Sequence, residues 1–222
     1  MISTQQLKLL KNLYIYRSLG YKYYNDIINN RSLSNSTNDL PSTFDELQTF
    51  VHNCHLCSLA KTRKNVVFGE GDAKAKLMFI GEGPGMSEDE SGRPFVGRAG
   101  ELLTKIIENV LFINRHDVYI ANIVKCRPPN NRVPTQEEAT SCLPFLQKQI
   151  QIIKPKIIVT LGATAYRYLT NELEASITKI RGEVIDFGLY KLIPTFHPSY
   201  LLRNPSAKKY VYADMLKVRA ML

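Results

Sequence analysis

The chain has no run of about 18 apolar residues, the length needed to span a bilayer, so no membrane helix is expected. Its opening segment, MISTQQLKLLKNLYIY, lacks the small-residue cleavage site that ends a signal peptide, and a cytoplasmic location is expected. No internal repeat is found, which argues against a solenoid. Cysteine is scarce, with only Cys54, Cys57, Cys126 and Cys142. Thiols stay reduced in the cytoplasm, so disulfides are not expected and a metal or redox role comes first. The glycine-rich turn Gly81–Gly85 has neither the Lys-Ser/Thr of a phosphate loop nor the spacing of GxGxxG, which counts against a nucleotide enzyme. No CxxCxxC run occurs, which counts against a ferredoxin-like electron carrier.

What is present reads as ordinary globular protein: 222 residues, 44% hydrophobic and 22% charged. That length suits one domain with a real core and perhaps an appendage. The net charge of +9 points to a polyanionic partner, with nucleic acid first. Residues 54–222 hold 24 Lys/Arg against 16 Asp/Glu, so the excess belongs to the folded body and not to a tail.

Residues 3–28 have helical spacing of Leu, Tyr and Ile, and residues 29–43 are polar and turn-rich, as a linker is. Ser42 or Thr43 is expected to cap a helix over FDELQTFVHN, with Glu46 near a capping-box position. An N-terminal extension is therefore placed at 1–41 and the main domain at 42–222.

Within that domain four short apolar runs alternate with amphipathic stretches. The runs are 76–80, 117–124, 156–160 and 192–196, each rich in β-formers, as strands buried on both faces should be. Helical periodicity marks 99–111, 135–153 and 163–169, and a last helix is expected over about 207–220. The pattern predicts an α/β fold: three layers, α/β/α, around a central, mostly parallel four-stranded sheet. In such a sheet ligands bind beyond the carboxyl ends of the strands. The unusual residues lie there: Gly81–Gly85 after the first run, Asn122 and KCRPP at the second, Leu161-Gly162 after the third, HPSYLLR after the fourth. Glu82, Asn122 and His197 are thus expected around one cleft.

Four motifs now stand in order: GEGPG followed by Glu88-Asp89, then PFVGRAG, YIANIVKCRPPNNR and TFHPSYLLR. Together with the four cysteines they resemble the family 4 uracil-DNA glycosylases, over roughly residues 50–217. The resemblance implies a base-excision enzyme that flips uracil out of DNA and hydrolyses its bond to the sugar. It implies Phe95 as the stacking residue and Asn122 as the reader of the base edge. The amide carries a donor and an acceptor, which suit N3–H and O4 of uracil and mismatch cytosine. His197 is implied as a donor to uracil O2, with backbone N–H groups of the Gly81–Gly85 loop, Gly83 among them, supporting the same charge.

Glu82 is the carboxylate expected to orient water, with Glu88 and Asp89 as competitors for the catalytic role. Better-known members of the superfamily carry Asp where this chain has Gly83. Ser199, Arg203 and Arg127 are expected on phosphates, with Arg132, Lys61 and Arg63 adding to them. Tyr200 or Leu201 is expected as a wedge into the gap left by the base. The loop KCRPPNNRVP lacks the histidine with which one related subgroup traps the base, so multiple turnover is expected.

The cysteines run Cys54-x2-Cys57, then 68 residues to Cys126 and 15 to Cys142. Four thiolates suit tetrahedral zinc or an iron–sulfur cube; the resemblance implies a [4Fe–4S] cluster with a structural role. Uracil-containing DNA is the expected partner, and the protein is expected to act as a monomer. The competing reading is a non-catalytic iron–sulfur or zinc module that binds nucleic acid, which leaves Glu82, Asn122 and His197 at one sheet edge without a purpose.

Overall fold

Burial on both faces explains why the four apolar runs do not alternate with polar residues. In the computed structural model, which describes residues 40–222, they form the parallel centre of a sheet. The strands are β1 (Glu70–Gly71), β2 (Leu77–Gly81), β3 (Tyr119–Asn122), β4 (Ile157–Leu161), β5 (Ile185–Asp186) and β6 (Lys191–Thr195). Their order is β1-β3-β2-β4-β6-β5. The four expected strands pair in parallel, and β1 and β5 add two-residue antiparallel edges. The expected helix over 3–28 and most of the polar stretch after it lie outside the described residues.

Side chains alternate between two cores, one on each face of the sheet. Met78, Ile80, Tyr119, Ala121 and Ile158 point to one; Leu77, Phe79, Ile120, Ile157 and Val159 point to the other. The first face is covered by α1 (Phe44–His52), α4 (Gln136–Ile153) and α5 (Ala163–Thr170). The second is covered by α3 (Arg98–Ile106), α7 (Pro198–Arg203) and α8 (Lys208–Arg219). Two short helices, α2 (Met86–Ser91) and α6 (Ile177–Ile180), lie in the connections. Three layers result because each face of a parallel sheet needs helices over it. Among the described residues no helix is long and apolar enough to cross a membrane.

Local signals act largely as expected. Thr43, not Ser42, caps α1: its hydroxyl accepts from Glu46 N–H and donates to the Glu46 carboxylate at 2.6 Å. Thr135 and Glu138 form a reciprocal capping box at the start of α4. The stretch expected as one helix over 99–111 is α-helical to Ile106 and continues as a π turn over Ile107–Leu111. The apolar stripe survives the change, with Leu103, Ile107 and Leu111 all buried.

The register carries the fold into function. Gly81 stands opposite Asn122, and Leu161 opposite Thr195, so the four parallel strands end together. Their following residues therefore emerge side by side. Behind that edge, β6 is tied to α8 through Asp214, which is fully buried. Thr195 Oγ1 donates to Asp214 Oδ2 at 2.6 Å, Arg181 Nε donates to the same oxygen at 3.1 Å, and Arg181 Nη2 closes on Oδ1.

Candidate active site

A cleft of about 480 Å³ opens where the parallel strands end. Glu82, Gly83, Phe95, Asn122, His197 and Arg203 all line it, so residues from four distant motifs meet.

Glycines make this convergence possible. A Cβ on Gly81 would lie 2.6 Å from Phe95 Cζ and closer still to Asn122 Oδ1. A Cβ on Gly100 would overlap the Phe95 carbonyl. Phe95 itself has φ of +52°, a left-handed conformation that costs energy for a bulky residue and marks a position held by its surroundings. Glu88 does much of the holding. Its Oε1 accepts from Val96 N–H at 2.9 Å and Gly97 N–H at 3.0 Å, and its Oε2 accepts from Gly85 N–H at 3.1 Å. One carboxylate thus ties the loop after β2 to the loop carrying Phe95. Arg115, which nothing in the sequence singled out, adds a bond from Nη2 to the Pro94 carbonyl at 2.7 Å.

Asn122 is 1% exposed, and neither its Oδ1 nor its Nδ2 has a hydrogen-bond partner among the described residues. Leaving a buried amide unpaired costs about 1–3 kcal/mol per group, so such a side chain is retained for something it meets. Phe95 and His197 flank it, their rings 5.6 Å apart and inclined at 34°.

The imidazole of His197 has a defined tautomer. Ser199 N–H donates to Nδ1 at 3.1 Å, and the Ser199 hydroxyl lies 2.8 Å from the same atom. A main-chain donor forces Nδ1 to accept, so the ring proton sits on Nε2. Burial lowers the His197 pKa to about 4, with Arg203 adding to the effect, so the ring is neutral near pH 7. Glu82, half-buried, has its carboxyl pKa raised by burial, with the Thr164 hydroxyl opposing.

Three expectations are corrected. Asp89 does not line the cleft: its Oδ1 accepts from Lys64 N–H at 2.9 Å and Asn65 N–H at 3.3 Å, and it is 2% exposed. It anchors the segment before β1. Leu201 does not reach the surface as a wedge must, because it is 1% exposed and packs in the second core; Tyr200, the other residue offered for that role, and Leu202 are the exposed apolar residues of α7. Ser199 lines the cleft, but its N–H and hydroxyl both contact His197 Nδ1, so it holds the imidazole rather than pointing freely to a phosphate. Among the expected phosphate contacts, Arg203 is exposed at the cleft. Arg127 Nε donates to Asn131 Oδ1 at 2.7 Å, and Arg132 is committed to Glu138 through two bonds of 2.7 and 2.8 Å.

The four cysteines line one further pocket, a small one of about 10 Å³. Burial raises the thiol pKa values of Cys57 and Cys126, and pushes that of Cys142 up to about 12. Two N–H donors nevertheless aim at sulfur: Lys125 N–H to Cys142 Sγ at 3.2 Å, and Arg63 Nη1 to Cys126 Sγ at 3.3 Å. Four soft donors, two buried and two partly buried, with cationic neighbours fit a metal centre, where a bound cation would hold them as thiolates. Among the described residues no group of three or more His, Cys, Asp or Glu closes on a single ion. Ser58 and Arg132 both bond Glu138, which joins the cysteine segment, the β3 loop and α4.

The model of the uracil DNA glycosylase superfamily matches residues 68–216, and the chain belongs to that superfamily, in its type-4 branch. It is 53% identical over 175 residues to a type-4 uracil-DNA glycosylase of Thermotoga maritima, covering 78% of this chain and 91% of that one. It is 46% identical over 179 residues to a type-4 enzyme of Saccharolobus solfataricus, covering 78% and 83%. A type-5 uracil-DNA glycosylase of Pyrobaculum aerophilum is 31% identical over 149 residues, covering 60% and 66%.

Proposed function

We propose that this chain is a monofunctional uracil-DNA glycosylase, releasing free uracil from DNA and leaving an abasic site. The observation that carries this is the Asn122 amide, buried and unpartnered in a cleft with an aromatic ring and a fixed N–H donor.

A base inside a duplex cannot reach such a cleft, so the nucleotide must be extruded. The Phe95 ring offers a face worth roughly 1–3 kcal/mol of stacking. Asn122 supplies Oδ1 to uracil N3–H and Nδ2 to O4; cytosine presents the opposite pattern and leaves both buried atoms unpaired. That mismatch, rather than a steric block, is the source of specificity.

As the bond from N1 to C1′ breaks, its electron pair moves onto the uracil, and charge collects at O2. His197 Nε2–H stabilises that charge as a neutral donor, its other nitrogen held by Ser199. The sugar becomes cationic. Glu82, ionised, orients a water and takes its proton as the oxygen bonds to C1′; its negative charge offsets the positive charge of the sugar, and the departing uracil anion is protonated from solvent. Asn131 also lines the cleft opposite Glu82's loop. Arg203 contributes a phosphate contact, and of the two residues offered as a wedge, exposed Tyr200 takes the role, with exposed Leu202 beside it in place of Leu201.

The four cysteines are assigned to a [4Fe–4S] cluster. All four line one pocket, and four thiolates are the ligand set of such a cube as of a tetrahedral zinc; the likeness to the type-4 enzymes selects the cube. When bound, the cluster supplies a structural cross-link and no step of the hydrolysis. A monomer acting in the cytoplasm, with its catalytic domain beginning near residue 42, completes the reading.

Incubation with an oligonucleotide carrying one uracil, followed by alkali, tests the proposal. Strand cleavage at uracil and none in thymine or cytosine controls is expected. An intact uracil strand in the presence of iron-loaded protein overturns the enzyme and leaves a binding module. One zinc and no iron in colourless protein overturns the cluster.

A further inference from the structure

Between the cysteine cavity and the base cleft lies a lysine that is 1% exposed. Lys125 Nζ donates to the Asn122 carbonyl at 3.0 Å and to Gln149 Oε1 at 2.6 Å. Gln149 is itself fully buried, and its Nε2 donates to the Phe68 carbonyl at 3.0 Å and the Tyr119 hydroxyl at 2.9 Å. Two of the three ammonium N–H groups thus have partners, yet no carboxylate pairs with it among the described residues. A buried cation without an anion is strongly disfavoured, because the desolvation cost is offset only by an opposite charge close by. The opposite charge available is on sulfur: Lys125 lines the cavity with the four cysteines, and its own N–H bonds Cys142 Sγ.

We propose that Lys125 is the buried counter-charge of the cysteine-held centre and, through the Asn122 carbonyl, the positioning residue for the base reader. The inference rests on the iron–sulfur reading of the cysteines. It makes the centre more than a clamp on surface loops. The same ammonium neutralises the thiolate set and pins the main chain at the end of β3, where the Asn122 amide must not turn. Groups just outside a metal's ligands tune both its retention and its electronic properties.

The test compares K125M, K125Q and K125R with the parent protein, purified with iron. Iron content and the visible spectrum come first; parent protein without iron overturns the cluster reading itself, and this proposal with it. In iron-loaded protein, K125M and K125Q are expected to release iron to a chelator roughly 10- to 100-fold faster, as loss of a supporting group around a metal does. Their reduction potentials are expected to fall, since a positive charge beside the cluster is gone. Uracil excision is expected to drop at least about tenfold, with K125R recovering both potential and excision.

Loss of K125M and K125Q as soluble protein while K125R accumulates supports the charge requirement. Three variants with the parent's potential, iron retention and excision overturn the proposal while leaving the cluster intact. Failure of K125R together with the other two also overturns it, because shape would then be decisive and charge would not.

Discussion

Two buried polar side chains near the carboxyl edge of the sheet, Asn122 and Asp214, are almost equally hidden from water, at 1% and 0% exposed. Their surroundings differ completely. Asp214 accepts from Thr195 and from Arg181 at both of its oxygens, whereas the Asn122 amide meets no partner among the described residues. The first is a polar group satisfied from within and serves the fold. The second is a group whose partners must arrive from outside, and it serves the substrate. Burial alone does not separate the two roles; the hydrogen-bond ledger does.

Substitutions can press on that contrast from both sides. The largest effect is expected at a third residue that faces the substrate. E82Q should lower turnover by about 10²–10⁴-fold, the range for loss of a proton-handling or water-orienting group, with uracil-DNA binding kept. Single-turnover excision and a binding titration measure the two separately, and unchanged turnover would remove Glu82 from the chemistry. Next, D214A should destabilise the fold by about 1–3 kcal/mol, because it leaves the buried Thr195 hydroxyl without its acceptor and the partly buried Arg181 without its anion. Denaturant melts measure it.

N122A should do the reverse. Removing two unpaired buried groups offsets the lost packing, so stability should stay level or rise by as much as about 1–3 kcal/mol while uracil excision collapses. If N122A were as unstable as D214A, the amide would have partners after all and the contrast would fail.

The smallest effect is one of pH. His197 has a folded pKa of about 4, below its ordinary 6.5. A depressed pKa means the unfolded chain binds the extra proton first, so the stability His197 contributes is complete above pH 6.5 and is lost as pH falls toward 4. The ring is still neutral through most of that window, so it does not set the acid limb of excision near neutrality. Glu82, with its pKa raised by burial, should set that limb above the usual carboxylate range. In E82Q the residual rate should lose this limb; a limb that persists would reassign it.

The fold was legible where physics writes a long pattern. Strands buried on both faces must be largely apolar, and the four central strands are, with Asn122, Thr160 and Thr195 as their buried polar residues. The edge strands Glu70–Gly71 and Ile185–Asp186 carry no such pattern, because two residues paired on one side need none. In the site, Asn122, Phe95 and His197 could be singled out because each breaks a local rule: an amide ending an apolar run, an aromatic in a glycine loop, a histidine after a strand.

Adjacent positions on short helices could not be told apart. Glu88 and Asp89 differ by about 100° of rotation, as do Leu201 and Leu202, and only the packing decides which one of each pair turns inward. Lys125 escaped notice because lysine reads as surface. Its burial follows from two things absent from the local pattern, a glutamine 24 positions onward and sulfur atoms brought from elsewhere in the chain.

The sheet's outermost strands are only two residues long and run against their neighbours. A second copy approaching sideways finds almost no free ladder to continue, since the long parallel strands are enclosed between these stubs. Among the described residues, the sheet edges therefore offer little template for joining backbone to backbone.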